Sequence, residues 1–180
     1  INYLNQQEKF VSQLISSKEV QQAFNQVNID TELLNKKLNS HQETQTFFKN
    51  ILLIKNDGQI FYASKEEDKF KINLRETPYK TTNLGLSFEQ TMISLTSNIS
   101  SYSFDYILRS PSLYLTHPIF LEKKLIGFIA VQINDEQLFK ITHNYFDLGE
   151  TGEIIIGKLI EDGVQVIGPM RNKPNAAFNF

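Results

Sequence analysis

Three runs of β-forming residues follow one another closely in the second half of the chain, and their spacing is the strongest constraint on its fold. The runs cover 101–109, 113–121 and 125–134, with Ser110–Ser112 between the first two and Glu122–Lys124 between the last two. Connections this short cannot cross over a sheet to bring neighbouring strands into parallel register. The spacing therefore predicts an antiparallel meander.

Two more strands are predicted in the segment 47–64, which reads FFKNILLIKNDGQIFYAS. Its β-rich runs, at roughly 50–55 and 59–64, flank Asp57 and Gly58, and an Asp-Gly pair readily adopts the positive φ angles of a tight hairpin turn. These two strands and the meander together predict a five-stranded antiparallel sheet.

The segment between the hairpin and the meander differs from both. Residues 65–83 are charged and aperiodic, which predicts a loop. Ser87 followed three residues later by Gln90 is a capping-box pattern, and it predicts the start of a short helix. We expect this loop and helix to lie at the rim of the sheet face away from the N-terminal helix.

Helical periodicity dominates the residues before the hairpin. Apolar residues recur at helical spacing from Leu4 to Val27, and again at Leu33, Leu34 and Leu38. They predict a long amphipathic helix and a second, shorter one. Helices followed by antiparallel strands, without strict βαβ alternation, indicate an α+β domain in which the long N-terminal helix lies across one face of the five-stranded sheet.

The composition excludes several classes of function. Hydrophobic residues make up 41% and charged residues 21% of the chain, as in ordinary globular domains. The net charge is -2 and the pI about 6.0, so no basic field is present to attract nucleic acid. The absence of cysteine removes disulfides and thiolate catalysis, and it gives weak support to an extracytoplasmic location.

Motifs for catalysis, metal binding and cofactor binding are also missing. The sequence contains no Gly-x-Ser-x-Gly, no P-loop, no Gly-x-Gly-x-x-Gly and no His-Glu-x-x-His. His41, His117 and His143 are far apart, and none has a second histidine or a carboxylate at metal-ligand spacing. The acidic run at 66–68 lies among lysines and is typical of a solvated loop. We therefore expect neither an enzyme nor a metal or cofactor site.

Two longer motifs resemble the Cache family, the PAS-like sensor modules of bacterial transmembrane receptors. The run KKLIGFIAVQIN, Lys123–Asn134, resembles the last strand of the Cache sheet. The run LGETGEIIIGKLIEDGVQVIGPMRNKPNAAF, Leu148–Phe178, resembles the junction into the second, membrane-proximal module of double Cache (dCache) domains. The residues that match the junction pattern are Gly149, Gly152, Glu153, Pro169 and Arg171.

The resemblance implies a domain organisation. Residues 1–46 form an N-terminal helical stalk and a second helix, residues 47–146 form the membrane-distal module, and residues 147–180 begin a truncated membrane-proximal module. The chain begins with Ile1 and contains no apolar run near the ~20 residues needed to cross a bilayer. We expect flanking transmembrane helices outside residues 1–180.

The same resemblance implies a function. The chain is expected to be the periplasmic, extracytoplasmic sensing domain of an inner-membrane receptor that binds a small molecule and signals to a histidine kinase, cyclase or chemotaxis output. The alternative is a structural module that binds no ligand and only sets dimerisation, since a homodimer can form through Leu14, Phe24 and their neighbours on the N-terminal helix.

Cache modules bind their ligand on the sheet face opposite the long helix, under the loop and short helix that follow the hairpin. Strand alternation places Tyr114 and Thr116 on one face of their strand, and Phe128 and Gln132 on one face of the last strand. The full set of candidate ligand-binding residues is Gln132, Arg109, Tyr102, Tyr106, Tyr114, Thr116 and Phe128. For the aromatic members, packing in the core is the alternative role.

The ligand class depends on Gln132 and Arg109. Gln132 stands about where amino-acid-binding members of the family carry an aspartate, and the chain has no tryptophan to complete their Arg-x-Trp-Tyr motif. A neutral amide both donates and accepts hydrogen bonds, whereas a carboxylate only accepts. Arg109 is the best candidate to bind a carboxylate through its planar guanidinium group, with a solvated strand end as the alternative. Organic acids or neutral metabolites are therefore favoured over amino acids.

Overall fold

The computed structural model describes residues 2–25, 31–39, 47–65, 71–105, 110–140, 148–173 and 176–178. The helices are α1 (Asn2–Ile15), α2 (Lys18–Asn25), α3 (Thr31–Asn39), a 3-10 turn (Tyr79–Thr81), α4 (Asn83–Ser94) and α5 (Asp135–Phe139). The strands are β1 (Phe48–Ile54), β2 (Ile60–Ala63), β3 (Asn98–Ile99), β4 (Ser103–Asp105), β5 (Ser110–Ser112), β6 (Tyr114–Leu121), β7 (Lys124–Ile133), β8 (Gly157–Ile160) and β9 (Gly163–Val166). No described helix is both long enough and apolar enough to span a membrane.

The N-terminal helical region is interrupted at Ser16 and Ser17, where the sequence predicts one continuous helix. Ser17 Oγ donates to the carbonyl of Leu14 at 2.7 Å and accepts from the amide of Val20 at 3.4 Å. Ser16 Oγ donates to the carbonyl of Ser12 at 2.9 Å. Serine hydroxyls that bond to nearby backbone groups compete with helical hydrogen bonds. They end α1 here and cap the start of α2.

The main sheet has five antiparallel strands in the order β2-β1-β7-β6-β3, which confirms the predicted α+β fold with a five-stranded sheet. The hairpin turn between β1 and β2 is also confirmed. Gly58 adopts a φ of 90° and donates to the carbonyl of Lys55 at 2.9 Å. A side chain at Gly58 would meet the stem of Arg75, so the turn needs glycine both for its backbone and for its space.

The fifth strand is not the predicted one. The prediction placed residues 101–109 in the main sheet, but β3 pairs there with β6, while β4 pairs with β5 in a separate ribbon. The amide of Ser100 donates to the carbonyl of Tyr114, but the amide of Tyr114 donates to Ser100 Oγ. Because a side-chain hydroxyl takes the place of the backbone acceptor, the ladder ends at this pair and the following chain leaves the sheet.

The predicted start of the short helix is also wrong. Helix α4 begins four residues before Ser87, and its N-cap is Thr82, whose Oγ1 accepts from the amide of Gly85 at 3.1 Å. Ser87 lies inside the helix and is buried against the sheet. The capping-box pattern at Ser87 and Gln90 therefore does not mark the helix start, because Thr82 offers an earlier cap.

Two apolar clusters cover the two faces of the sheet. The first, called here the helix-side cluster, joins Phe10, Val11 and Leu14 of α1 to residues of β1, β6 and β7 such as Leu53 and Ile129. The second, called here the far-side cluster, joins Leu52, Ile54, Ile60, Ala63, Leu74, Leu84, Phe88, Tyr114, Phe128 and Ala130. The described part of the predicted loop, through Leu74, therefore lies on the face opposite α1, as expected.

Candidate ligand-binding face

The far side of the sheet carries four of the residues predicted to bind a ligand. Tyr114 and Phe128 are fully buried members of the far-side cluster. Thr116 is buried on the same face and shares a hydrogen bond of 3.0 Å with Ser87 of α4. Gln132 is paired with Tyr114 across the β6–β7 ladder, so the two side chains lie on the same face. Tyr114 and Phe128 form part of the core, whereas Gln132 brings a polar group to its edge.

Gln132 belongs to a polar group that we call the amide patch, formed by the half-buried Ser64 and the buried Asn50, Ser112 and Gln132. Gln132 is 6% exposed and its Nε2 donates to Ser112 Oγ at 3.3 Å. Asn50 is its neighbour on β1, and Asn50 Oδ1 accepts from Ser64 Oγ at 3.0 Å. Asn50 is 2% exposed, yet its Nδ2 has no hydrogen-bond partner within the described part of the chain.

The Nδ2 of Asn50, which lacks a partner among the residues that the structure describes, is the feature of the amide patch that most favours ligand binding. Leaving a buried donor without an acceptor costs about 1–3 kcal/mol, and such groups are rare in folded proteins. An acceptor oxygen on a small molecule would remove this cost. The patch thus presents an N–H donor at Asn50 and an amide at Gln132 that both donates and accepts.

The β4–β5 ribbon borders the amide patch. Its residues Ser103 and Ser112 are paired, and Ser103 Oγ donates to Asn83 Oδ1 at the start of α4 at 2.8 Å. Asp105 lies two residues beyond Ser103 on the same face of β4 and is 5% exposed. The ribbon therefore brings a buried carboxylate to this side of the molecule.

A cleft of about 190 Å³ lies farther out, between the loop and α4. Its floor is apolar and is formed by Leu74, Phe88 and Met92, with the ring of Phe88 edge-on to Phe128 at 5.0 Å. Charged side chains form its rim, namely Arg75, Lys80 and Glu89. None of the three forms an ion pair with another residue that the structure describes.

Tyr102 lies apart from the amide patch. Its ring contacts Phe139 and Phe178 at centroid distances of 5.4 and 5.6 Å, and it packs against the helix-side cluster. Its hydroxyl donates to Asp135 Oδ2 at 2.8 Å, and the other oxygen of Asp135 is paired with Lys49. Burial, and then the charge and hydrogen bond of Asp135, raise the pKa of Tyr102 above its ordinary value.

Tyr106 and Arg109 lie outside the described residues. The binding roles of all seven candidates remain predictions. Sequence reasoning overlooked five polar residues that the structure brings to the far side, namely Asn50, Arg75, Lys80, Asp105 and Ser112. The position of Asn50, within the apolar strand FKNILLI, was a detectable signal, since an amide in a central strand is buried. The described residues contain no group of three His, Asp or Glu side chains able to hold a metal ion.

The fold resembles solved sensor domains of bacterial receptors. The ligand-binding domain of the Pseudomonas aeruginosa PAO1 amino acid chemoreceptor PctC, in complex with GABA, is 16% identical over 81% of this chain and 59% of its own, with a TM-score of 0.56. The sensor domain of the Vibrio cholerae histidine kinase DctB is 18% identical over 72% of this chain and 50% of its own, with a TM-score of 0.53.

The ligand-binding domain of the Campylobacter jejuni chemoreceptor Tlp3, in complex with 4-methylisoleucine, is 13% identical over 77% of this chain and 56% of its own, with a TM-score of 0.52. The chain therefore spans 50% to 59% of the length of these three domains. No family model and no curated protein sequence matches the chain. The structural likeness shows that the chain has the sensor-domain fold that its Cache-like motifs predict.

Proposed function

We propose that the chain is the extracytoplasmic small-molecule sensing domain of a bacterial membrane receptor, and that its ligand binds on the far side of the sheet. The observation that carries this proposal is the buried Nδ2 of Asn50, next to Gln132, which has no hydrogen-bond partner among the described residues. The sensor-domain fold supports it. The alternative, a module that only sets dimerisation, requires a closed core on both faces, whereas the far side has a cleft of about 190 Å³ that Arg75, Lys80 and Glu89 help to line.

The charges of the cleft, together with the neutral Gln132, support a neutral or anionic ligand. Gln132 brings no charge, and the rim of the cleft carries Arg75 and Lys80 against Glu89, a net charge of +1. An organic acid with a short apolar body matches the cationic rim and the apolar floor. Arg109 is proposed as an additional carboxylate ligand, and Tyr106 and Tyr114 as further ligand-binding residues.

One observation favours a second ligand class. Asp105 is a buried carboxylate on the ribbon that borders the amide patch. A carboxylate in this position matches the ammonium group of an amino acid or amine, and the PctC ligand-binding domain was solved in complex with one such compound, GABA. If the ligand is of this class, Asp105→Asn abolishes its binding, whereas an organic acid binds the same variant at least as well as it binds the wild type.

A thermal-shift screen tests both classes. Dicarboxylates, short-chain monocarboxylates, neutral sugars and free amino acids are added as separate probes, each at about 10 mM, which is 100 times a dissociation constant of about 100 μM. A ligand at 100 times its dissociation constant stabilises the folded state by about 2.7 kcal/mol, which corresponds to about 5–11 °C for a domain of this size. We expect an organic acid or a neutral probe to produce such a shift.

Variants assign the shift to the site. Gln132→Ala is expected to reduce it by half or more, while Gln90→Ala, which changes an exposed glutamine on α4, leaves it unchanged. An unchanged shift in Gln132→Ala would place the ligand elsewhere. If no probe of any class stabilises the wild type, the dimerisation role is the better account.

The domain organisation is part of the same proposal. Residues 47–146 are the membrane-distal module, and residues 147–180 begin a membrane-proximal one. The β8–β9 hairpin supports this division because it pairs with no other described strand and leaves Leu159 82% and Val164 63% exposed. A two-stranded hairpin is marginally stable alone, so its apolar side chains need further structure to cover them.

A further inference from the structure

The β4–β5 ribbon has two faces that contact different parts of the molecule. On the face toward the amide patch, Ser112 Oγ accepts from Gln132 Nε2 at 3.3 Å, and Ser103 Oγ donates to Asn83 at 2.8 Å. Ser103 and Ser112 are directly paired, so both contacts act on one backbone unit. A displacement of Ser112 must therefore be shared by Ser103 and its neighbours.

The opposite face of the ribbon contacts Phe178, in the C-terminal part of the chain. Phe104 of β4 lies 6.5 Å from the ring of Phe178, and Tyr102, just before β4, lies 5.6 Å from it. Tyr102 also packs edge-on against Phe139, at 5.4 Å, and its hydroxyl donates to Asp135. Because side chains alternate along a strand, the ribbon presents polar groups to the amide patch and aromatic groups to Phe178.

Phe178 links this aromatic contact to the β8–β9 hairpin. Its amide donates to the carbonyl of Val166 in β9 at 2.9 Å. Its φ is 59°, in the left-handed region that a bulky side chain rarely adopts. Such a conformation persists only where surrounding contacts hold it, and here the described ring contacts are with Tyr102 and Phe104. The position of Phe178 therefore depends on the ribbon.

We propose that the β4–β5 ribbon couples the amide patch to the docking of residues 148–178 against the membrane-distal module. The proposal rests on the proposed sensing function, because it makes the ribbon the element that responds to the ligand. A ligand whose acceptor takes the place of Ser112 Oγ at Gln132 Nε2 breaks the bond between the ribbon and Gln132. Release of Ser112 lets the ribbon shift, and Tyr102 and Phe104 then loosen their contact with Phe178.

Hydrogen exchange on the complete 180-residue chain without any ligand tests the coupling. Ser112→Ala removes the bond to Gln132 from the patch side of the ribbon. Loss of one ordinary hydrogen bond raises the equilibrium constant for local opening about fivefold. We therefore expect the amides of Ile167 and Phe178 to exchange about fivefold faster than in the wild type. The amide of Leu95, bonded to Thr91 within α4, serves as an internal reference and should change by less than twofold.

Thr116→Val is the matched control. Thr116 lies on the same face of the sheet, and its replacement by valine also removes one buried hydrogen bond. The partner in that bond, Ser87, belongs to α4 and not to the ribbon. Thr116→Val should leave the exchange rate of the Phe178 amide itself unchanged. Equal acceleration of Phe178 in both variants, or none in Ser112→Ala, would overturn the proposal.

The reverse perturbation covers the case in which Ser112→Ala does not fold. Coupling between two sites is reciprocal, so Phe178→Leu should accelerate exchange in β5 and at Tyr114 relative to Leu95 by a similar factor. Unchanged exchange there overturns the proposal. Neither exchange measurement uses a ligand. If the coupling is observed but no probe stabilises the protein in the thermal-shift screen, the result counts against the sensing function alone. If a probe stabilises the protein but the coupling is not observed, the result counts against the proposed role of the ribbon alone.

Discussion

Truncation of Phe88 tests whether α4 is packed on the sheet as the binding face requires. Phe88 is 1% exposed, and its ring lies edge-on to Phe128 at 5.0 Å, within the far-side cluster. Replacing a fully buried phenylalanine with alanine typically costs about 3–5 kcal/mol, because the transfer free energy of the ring and the cavity both contribute. Loss of the edge-to-face contact places the expected value at the upper half of this range.

The expected change is large compared with the whole stability of a domain, which is about 5–15 kcal/mol. A loss of ~4 kcal/mol lowers the folding equilibrium constant about 1000-fold and the melting temperature by about 8–16 °C. Urea unfolding followed by circular dichroism measures the change in the free energy of unfolding. An unchanged m-value shows that the wild type and Phe88→Ala unfold in the same way.

Ile93→Ala is the control for Phe88→Ala. Ile93 lies on the same helix but is 75% exposed, so its truncation should change the free energy of unfolding by less than about 1 kcal/mol. If Phe88→Ala lost no more stability than Ile93→Ala, α4 would not be packed on the sheet in solution. The cleft and the candidate face would then have no fixed wall.

Three further outcomes are expected. In the folded chain the pKa of Tyr102 lies above its ordinary value of 10.0, so the unfolded state loses this proton first and the free energy of unfolding falls as the pH rises above 10. Urea unfolding at pH 9 and about 10.5 should therefore show a smaller fall in Tyr102→Phe than in the wild type. Gly127→Ala should lose about 1–3 kcal/mol by the same assay, because its Cβ would overlap the ring of Phe24, and an unchanged midpoint would mean that α2 is not packed there. Ser17→Ala should lose about 1 kcal/mol through its cap, and a gain in helicity by circular dichroism would show instead that the serine only interrupts a longer helix.

Local signals predicted the parts of the fold that depend on neighbours in the sequence. The hairpin follows from Asp57 and Gly58 because turn conformation is decided within four residues. The last strand follows from the run Lys124–Ile133, which is apolar enough to be buried on both faces. The face assignment of Phe128 and Gln132 follows from period-2 alternation, which the register confirms through their partners Ile54 and Asn50.

The incorrect predictions arise where a side chain takes over a backbone hydrogen bond. The hydroxyl of Ser17 ends α1, and that of Ser100 ends the pairing of β3 with β6. Periodicity describes which residues are apolar, and it is insensitive to a single hydroxyl that accepts from a backbone amide. A serine inside a predicted element is therefore the position at which such a prediction is least secure.

The candidate site shows a different limit of sequence reasoning. Asn50 and Gln132 are 82 positions apart in the sequence, and Ser112 lies between them on a ribbon that was not predicted. Each of these side chains, taken alone, is an ordinary polar residue. They become a site only through the β1–β7 register, which pairs Asn50 with Gln132, and through the departure of β4 and β5 from the sheet, which brings Ser112 to Gln132. The same departure turns Tyr102 toward Phe178, so the rearrangement that completes the amide patch also creates the contact by which the patch is proposed to act on the C-terminal segment.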